Sequence, residues 1–135
     1  MFTVNKNDDF KKTIQVKNSK TGVPVDLSVF TGIGVWLYYE DGTTLKKFTE
    51  NLTDIGGNPM VGFAQLVIED ITQGKMRVLL NSAETKVAKE GICDLVVKYQ
   101  YTDADVVDGR FHHTGTVVKQ FLKIIELPPS AQDLL

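Results

Sequence analysis

A chain of 135 residues with 42% hydrophobic content suffices for one sizeable core and not for two, so a single domain is expected. The net charge is −2, and the lysines come singly or in the pairs Lys11-Lys12 and Lys46-Lys47 between acidic residues; this excludes a basic face that tracks nucleic-acid phosphates and places the pairs on solvated strand edges. The lone Cys93 excludes an internal disulfide, and with neither a charged-then-apolar leader nor an apolar run near ~20 residues, the expectation is a soluble domain made in a reducing cytoplasm, away from membranes.

Short segments of β-branched and aromatic residues, separated by Gly, Asp, Asn and Pro, run along the chain, which is the pattern of an all-β sandwich or barrel. Phe10 to Val16 sets Phe10, Ile14 and Val16 on one face with Lys12 discordant, and Asn18 to Gly22 reads as a turn. Val23 to Phe30 reads as a strand with Val25 and Leu27 on one face, Pro24 marking its start or an edge. In the next strand Ile33, Val35, Leu37 and Tyr39 alternate with Gly34, Trp36 and Tyr38, so both faces are apolar. Asp41-Gly42 then supplies the positive φ of a tight hairpin into Leu45 to Thr49. Glu50 to Gly62 reads as a long connection crossing between sheets, with Asn51-Leu52-Thr53 as loop chemistry and not a glycan site.

Phe63 to Ile68 resumes as a strand, and Gly74 to Leu80 follows with Met76, Val78 and Leu80 alternating against Lys75, Arg77 and Leu79. The period then changes. A Ser82 N-cap, an acidic first turn, later lysines and Gly91 describe one short helix over about residues 82–90. Ile92 to Tyr101 puts Cys93, Leu95, Val97, Tyr99 and Tyr101 on one face and Asp94, Lys98 and Gln100 on the other, a half-buried antiparallel strand. Thr102 to Gly109 is a turn closed by Asp108-Gly109, and Arg110 to Ile125 is one bent strand or two short ones around Gly115. The domain therefore spans residues 1–126, and residues 127–135 form an extended C-terminal arm that leaves the sheet through Pro128-Pro129.

Motifs of known chemistry fail on spacing. His112 and His113 are adjacent and point to opposite faces of a strand, so they do not share a metal. Asp103, Asp105 and Asp108-Gly109 lack the further ligands of a calcium-binding hand, and an acidic turn is the simpler reading beside an irregular calcium site. Gly32-Ile-Gly34 has Leu37 at the third glycine position of a dinucleotide fingerprint and leads into a strand, not a helix. No serine occupies a nucleophile elbow, Cys93 sits in an apolar strand face, and Asp8-Asp9 and Glu69-Asp70 read as solvated turn carboxylates. Neither catalytic residues, nor a cofactor, nor a metal is expected. Trp36 and Tyr38 either fill the core or present an interface, and Leu127, Pro128, Pro129, Leu134 and Leu135 either fray or dock on a neighbouring subunit.

Several segments resemble the N-terminal Ig-like domain of phage baseplate upper proteins and related virion modules. They are the acidic entry Asn7-Asp8-Asp9-Phe10, Gly22-Val-Pro-Val-Asp26-Leu27-Ser28, Gly32 to Leu37, and Gly74-Lys-Met-Arg-Val-Leu-Leu80 leading to Glu84-Thr85 and Gly91. The match covers roughly residues 5 to 125 and departs from the family at Ile92-Cys93, where an aromatic is usual. The resemblance implies an Ig-like antiparallel β-sandwich and a non-enzymatic structural component of a phage virion, in the tail, the baseplate or on the capsid surface. Such a protein is made in the host cytoplasm, is present in several copies, and contacts other virion proteins and itself. The alternative is a carbohydrate- or host-surface-binding module using the Trp36/Tyr38 face or the Thr102 to Gly109 loop.

Overall fold

The computed structural model describes residues 1–54, 56–106 and 110–128, and of residues 110 and 111 the backbone alone. Among these residues nine strands form two sheets packed face to face: β1 (Phe2–Asn5), β2 (Phe10–Gln15), β3 (Gly32–Tyr39), β4 (Thr44–Glu50), β5 (Ala64–Gln65), β6 (Val67–Asp70), β7 (Lys75–Leu80), β8 (Gly91–Thr102) and β9 (Arg110–Ile125). One sheet has six strands in the order β1-β9-β8-β3-β4-β5 and the other three in the order β2-β7-β6. This is the Ig-like sandwich plan, in which the larger sheet extends beyond its central strands by two more. The expectation of an antiparallel sandwich needs one correction: β1 pairs with β9, and β4 with β5, in parallel.

Alternation decides which residues meet between the sheets. Ile33, Val35, Leu37 and Tyr39 of β3, Cys93, Leu95, Val97 and Tyr99 of β8, and Met76, Val78 and Leu80 of β7 are all buried in one cluster. Phe30 stacks on Tyr99 at 4.1 Å, and Phe2, Phe10 and Phe121 pack their rings at 5.3–6.3 Å where the chain passes from the larger sheet to the smaller.

The β3–β4 hairpin forms as read, with Gly42 at φ 87° in its turn. β9 is one strand. An extra residue near Gly115 bends it; a Cβ there would strike the buried Tyr99 ring, so glycine is what lets β9 cross that core residue.

Four expectations are corrected. Val23 to Phe30 is not a strand: Asp26 accepts hydrogen bonds from the Ser28 N–H and hydroxyl, and this local closure turns Leu27–Val29 into a 3-10 turn that still buries Leu27. Phe63 to Ile68 divides, β5 lying in the larger sheet and β6 in the smaller, with buried Leu66 at the crossing. The helix, α1 (Ser82–Val87), is shorter than expected and capped by Asn81, whose side chain accepts from Glu84 N–H while Glu84 accepts from Asn81 N–H. Lys46 is no solvated edge residue, because its ammonium donates to Glu84 and to the Leu79 carbonyl and ties β4 to α1.

Candidate functional site: the outer face of the larger sheet

Trp36 and Tyr38 leave the core to Val35 and Leu37 and point to the outer face of the six-stranded sheet, each half-buried. Strand register sets Val117, Val96, Trp36 and Lys47 in one row across β9, β8, β3 and β4. Val117 remains 48% exposed at one end of that row. At the other, Phe63 stands edge-on to Trp36 with ring centres 5.5 Å apart. The Lys47 ammonium lies 4.7 Å from the Phe63 centroid and that of Lys98 6.0 Å from the Trp36 centroid. Gly34 makes room for this arrangement. A Cβ at 34 would sit 2.6 Å from Trp36 Cζ3, so the indole lies over the glycine.

One end of the face is covered by a lobe of residues 51–54 and 56–60. Thr53 bridges to Pro59, Met60 N–H donates to the Leu52 carbonyl, and Asp54 accepts from Asn58 N–H. The lobe is fastened to the sheet by Gln100, which is 1% exposed. Its amide oxygen accepts from Thr53 N–H at 3.2 Å, and its NH2 donates to the Thr53 carbonyl. The same NH2 lies 2.9 Å from His112 Nε2 and donates to it, which leaves Nδ1 as the donor atom of that ring. Between lobe and sheet runs a groove of about 430 Å³ lined by Trp36, Leu52, Asp54, Met60, Lys98 and His112.

At the opposite end Asp94, 5% exposed, accepts from Gln120 N–H at 2.8 Å and from the Lys119 ammonium at 3.1 Å. The Gln120 N–H, opposed by burial and aided by Lys119, holds the Asp94 carboxyl below the usual carboxylate range. This clamp holds Gln120 at φ 52° and turns the neighbouring Phe121 into the aromatic cluster. Burial pushes the Cys93 thiol up to about 12, so at neutral pH it is a core thiol.

His112 and His113 are both exposed; in register with Gln100 and Tyr99, they face opposite sides of β9. Among the described residues no group of three or more His, Cys, Asp or Glu side chains could hold a metal ion, and no helix is long and apolar enough to cross a membrane. Asp103 accepts from Asp105 N–H within an ordinary turn, while Asp108-Gly109 lies outside the described residues. Of the arm, Leu127 is half-buried and Pro128 exposed; Pro129, Leu134 and Leu135 lie outside the described residues. Sequence reading missed Gln100 and Asp94, whose place in a polar row signalled a solvated face. No protein-family model matches the chain, and no curated protein matches it.

Proposed function

We propose that this chain is a non-enzymatic structural component of a phage virion, working through contacts with other virion proteins and with copies of itself, and that the outer face of the six-stranded sheet is its contact surface. The observation that carries the reading is the row Val117, Val96, Trp36 on that face, flanked by Tyr38 and Phe63: the apolar area these side chains still expose gains burial against another molecule. Sheet edges are the poorer route. Lys12 points inward from β2, β5 has two residues, β6 carries an irregularity beside Glu69 and Asp70, and β9 is bent at Gly115. The resemblance to phage baseplate modules supplies the particle.

The test is association of the chain with itself and with purified particles, for wild type, Val117→Asp and a form lacking residues 127–135. Val117 is exposed, so the aspartate leaves folding intact, and the expected outcome is loss of association by tenfold or more. Association unchanged in Val117→Asp removes the face from the contact; loss only on deleting 127–135 assigns docking to the arm.

A further inference from the structure

The groove between β3 and the lobe that carries Leu52, Asp54 and Met60 has features that a flat protein contact does not need. Its floor is the Trp36 indole, seated over Gly34 and flanked by Phe63. Its walls are Leu52 and Met60, and its rim carries Asp54, Lys98 and His112. At about 430 Å³ it falls at the small end of the roughly 300–1,000 Å³ of small-molecule sites, large enough for a mono- or disaccharide segment. The lobe that shapes it is held by buried Gln100, so the groove is built into the fold before any ligand arrives.

The rim chemistry narrows the occupant. Asp54 offers a carboxylate acceptor and His112 an Nδ1–H donor, and groups of both kinds beside an aromatic ring suit hydroxyls that border an apolar face. Charge adds a second condition. The ammonium groups of Lys98 and Lys47 lie over the Trp36 and Phe63 rings, and among the described residues neither has a carboxylate within ion-pair distance, whereas Lys46, Lys89 and Lys119 are paired with Glu84, Asp41 and Asp94. Two cations held over an aromatic pair complement a ligand that brings its own negative charge. We propose that the groove is a binding site for an anionic saccharide, its sugar face stacked on Trp36, its carboxylate, sulfate or phosphate group met by Lys98 and Lys47, and its hydroxyls by Asp54 and His112. The site shares Trp36 and Phe63 with the proposed contact face, whereas Val117 belongs to that face alone and is absent from the groove.

Trp36 is the chain's single tryptophan, so its emission reports directly on the floor of the groove. The full chain is titrated with tri-galacturonate, with neutral maltotriose, and with a synthetic peptide of residues 127–135, following Trp36 fluorescence and the indole N–H resonance. The expected result is saturable change with tri-galacturonate, at least about tenfold weaker with maltotriose, weakened by added salt, and reduced several-fold in Lys98→Met and in Lys47→Met. Lys98 is exposed and Lys47 half-buried, and retained Trp36 emission in the free variants confirms that they fold. No response to tri-galacturonate, or an equal response to maltotriose, overturns the proposal. So does saturation by the peptide alone, which makes the groove a protein-docking pocket. The same titration on Val117→Asp separates the two functions: saccharide binding persists there while association is lost.

Discussion

The two outer faces of this sandwich both carry polar side chains, which behave as opposites on the two sheets. On the three-stranded sheet, Thr13 donates to Glu69, Arg77 pairs with the same carboxylate, and Lys11, Gln15 and Lys75 are exposed around them. These groups keep their water, and their pairing adds little to stability. On the six-stranded sheet, Gln100 and Asp94 sit among Trp36, Tyr38 and Val96, are almost fully buried, and each holds a piece of irregular backbone in place. A polar side chain on an outer strand face is thus a solvation device on one sheet and a structural fastener on the other. What separates them is the covering: among the described residues the Thr53 lobe and the irregularity of β9 lie over the larger sheet.

The sharpest way to break this contrast is Gln100→Ala. It strips buried partners from Thr53 and His112 together and frees the lobe, so a loss of about 3 kcal/mol is expected in denaturant unfolding, with Trp36 emission shifted red as the groove opens. Asp94→Asn has a smaller effect with a defined pH dependence. Because the folded carboxyl titrates below its unfolded value of about 3.9, its contribution is complete above that pH and is lost as pH falls through the folded value. The asparagine variant is therefore less stable at neutral pH and shows a flatter acid limb, read from melting temperature between pH 6 and pH 2. Smallest is Thr13→Ala on the other face: stability stays within about 0.5 kcal/mol of wild type, and a larger loss would erase the distinction between the faces.

Much of this architecture is legible in the sequence where one signal dominates. Asp41-Gly42 between two alternating runs specifies the hairpin, and the Cys93-to-Tyr99 alternation specifies the inner face of β8. Legibility fails where local and long-range effects compete. β1 is four residues long and pairs in parallel with the far end of the chain, so nothing near Phe2 announces it. Val25 and Leu27 carry a strand's apolar spacing, but the Asp26 side chain diverts the backbone. For Trp36 the alternation fixes that it opposes Val35 without saying which side is core, since both sides of β3 are apolar. Gln100 was hidden for a related reason: its burial depends on a lobe some 47 positions away in the chain.

Sedimentation velocity of the purified chain, alone and with particles, tests most directly whether the larger sheet's outer face is a contact surface. Contact through that face predicts a species at a multiple of the 15.0 kDa chain mass, or co-sedimentation with the particle, that reverts to free monomer in Val117→Asp. A wild-type chain that stays monomeric at its highest soluble concentration and joins no particle would contradict it.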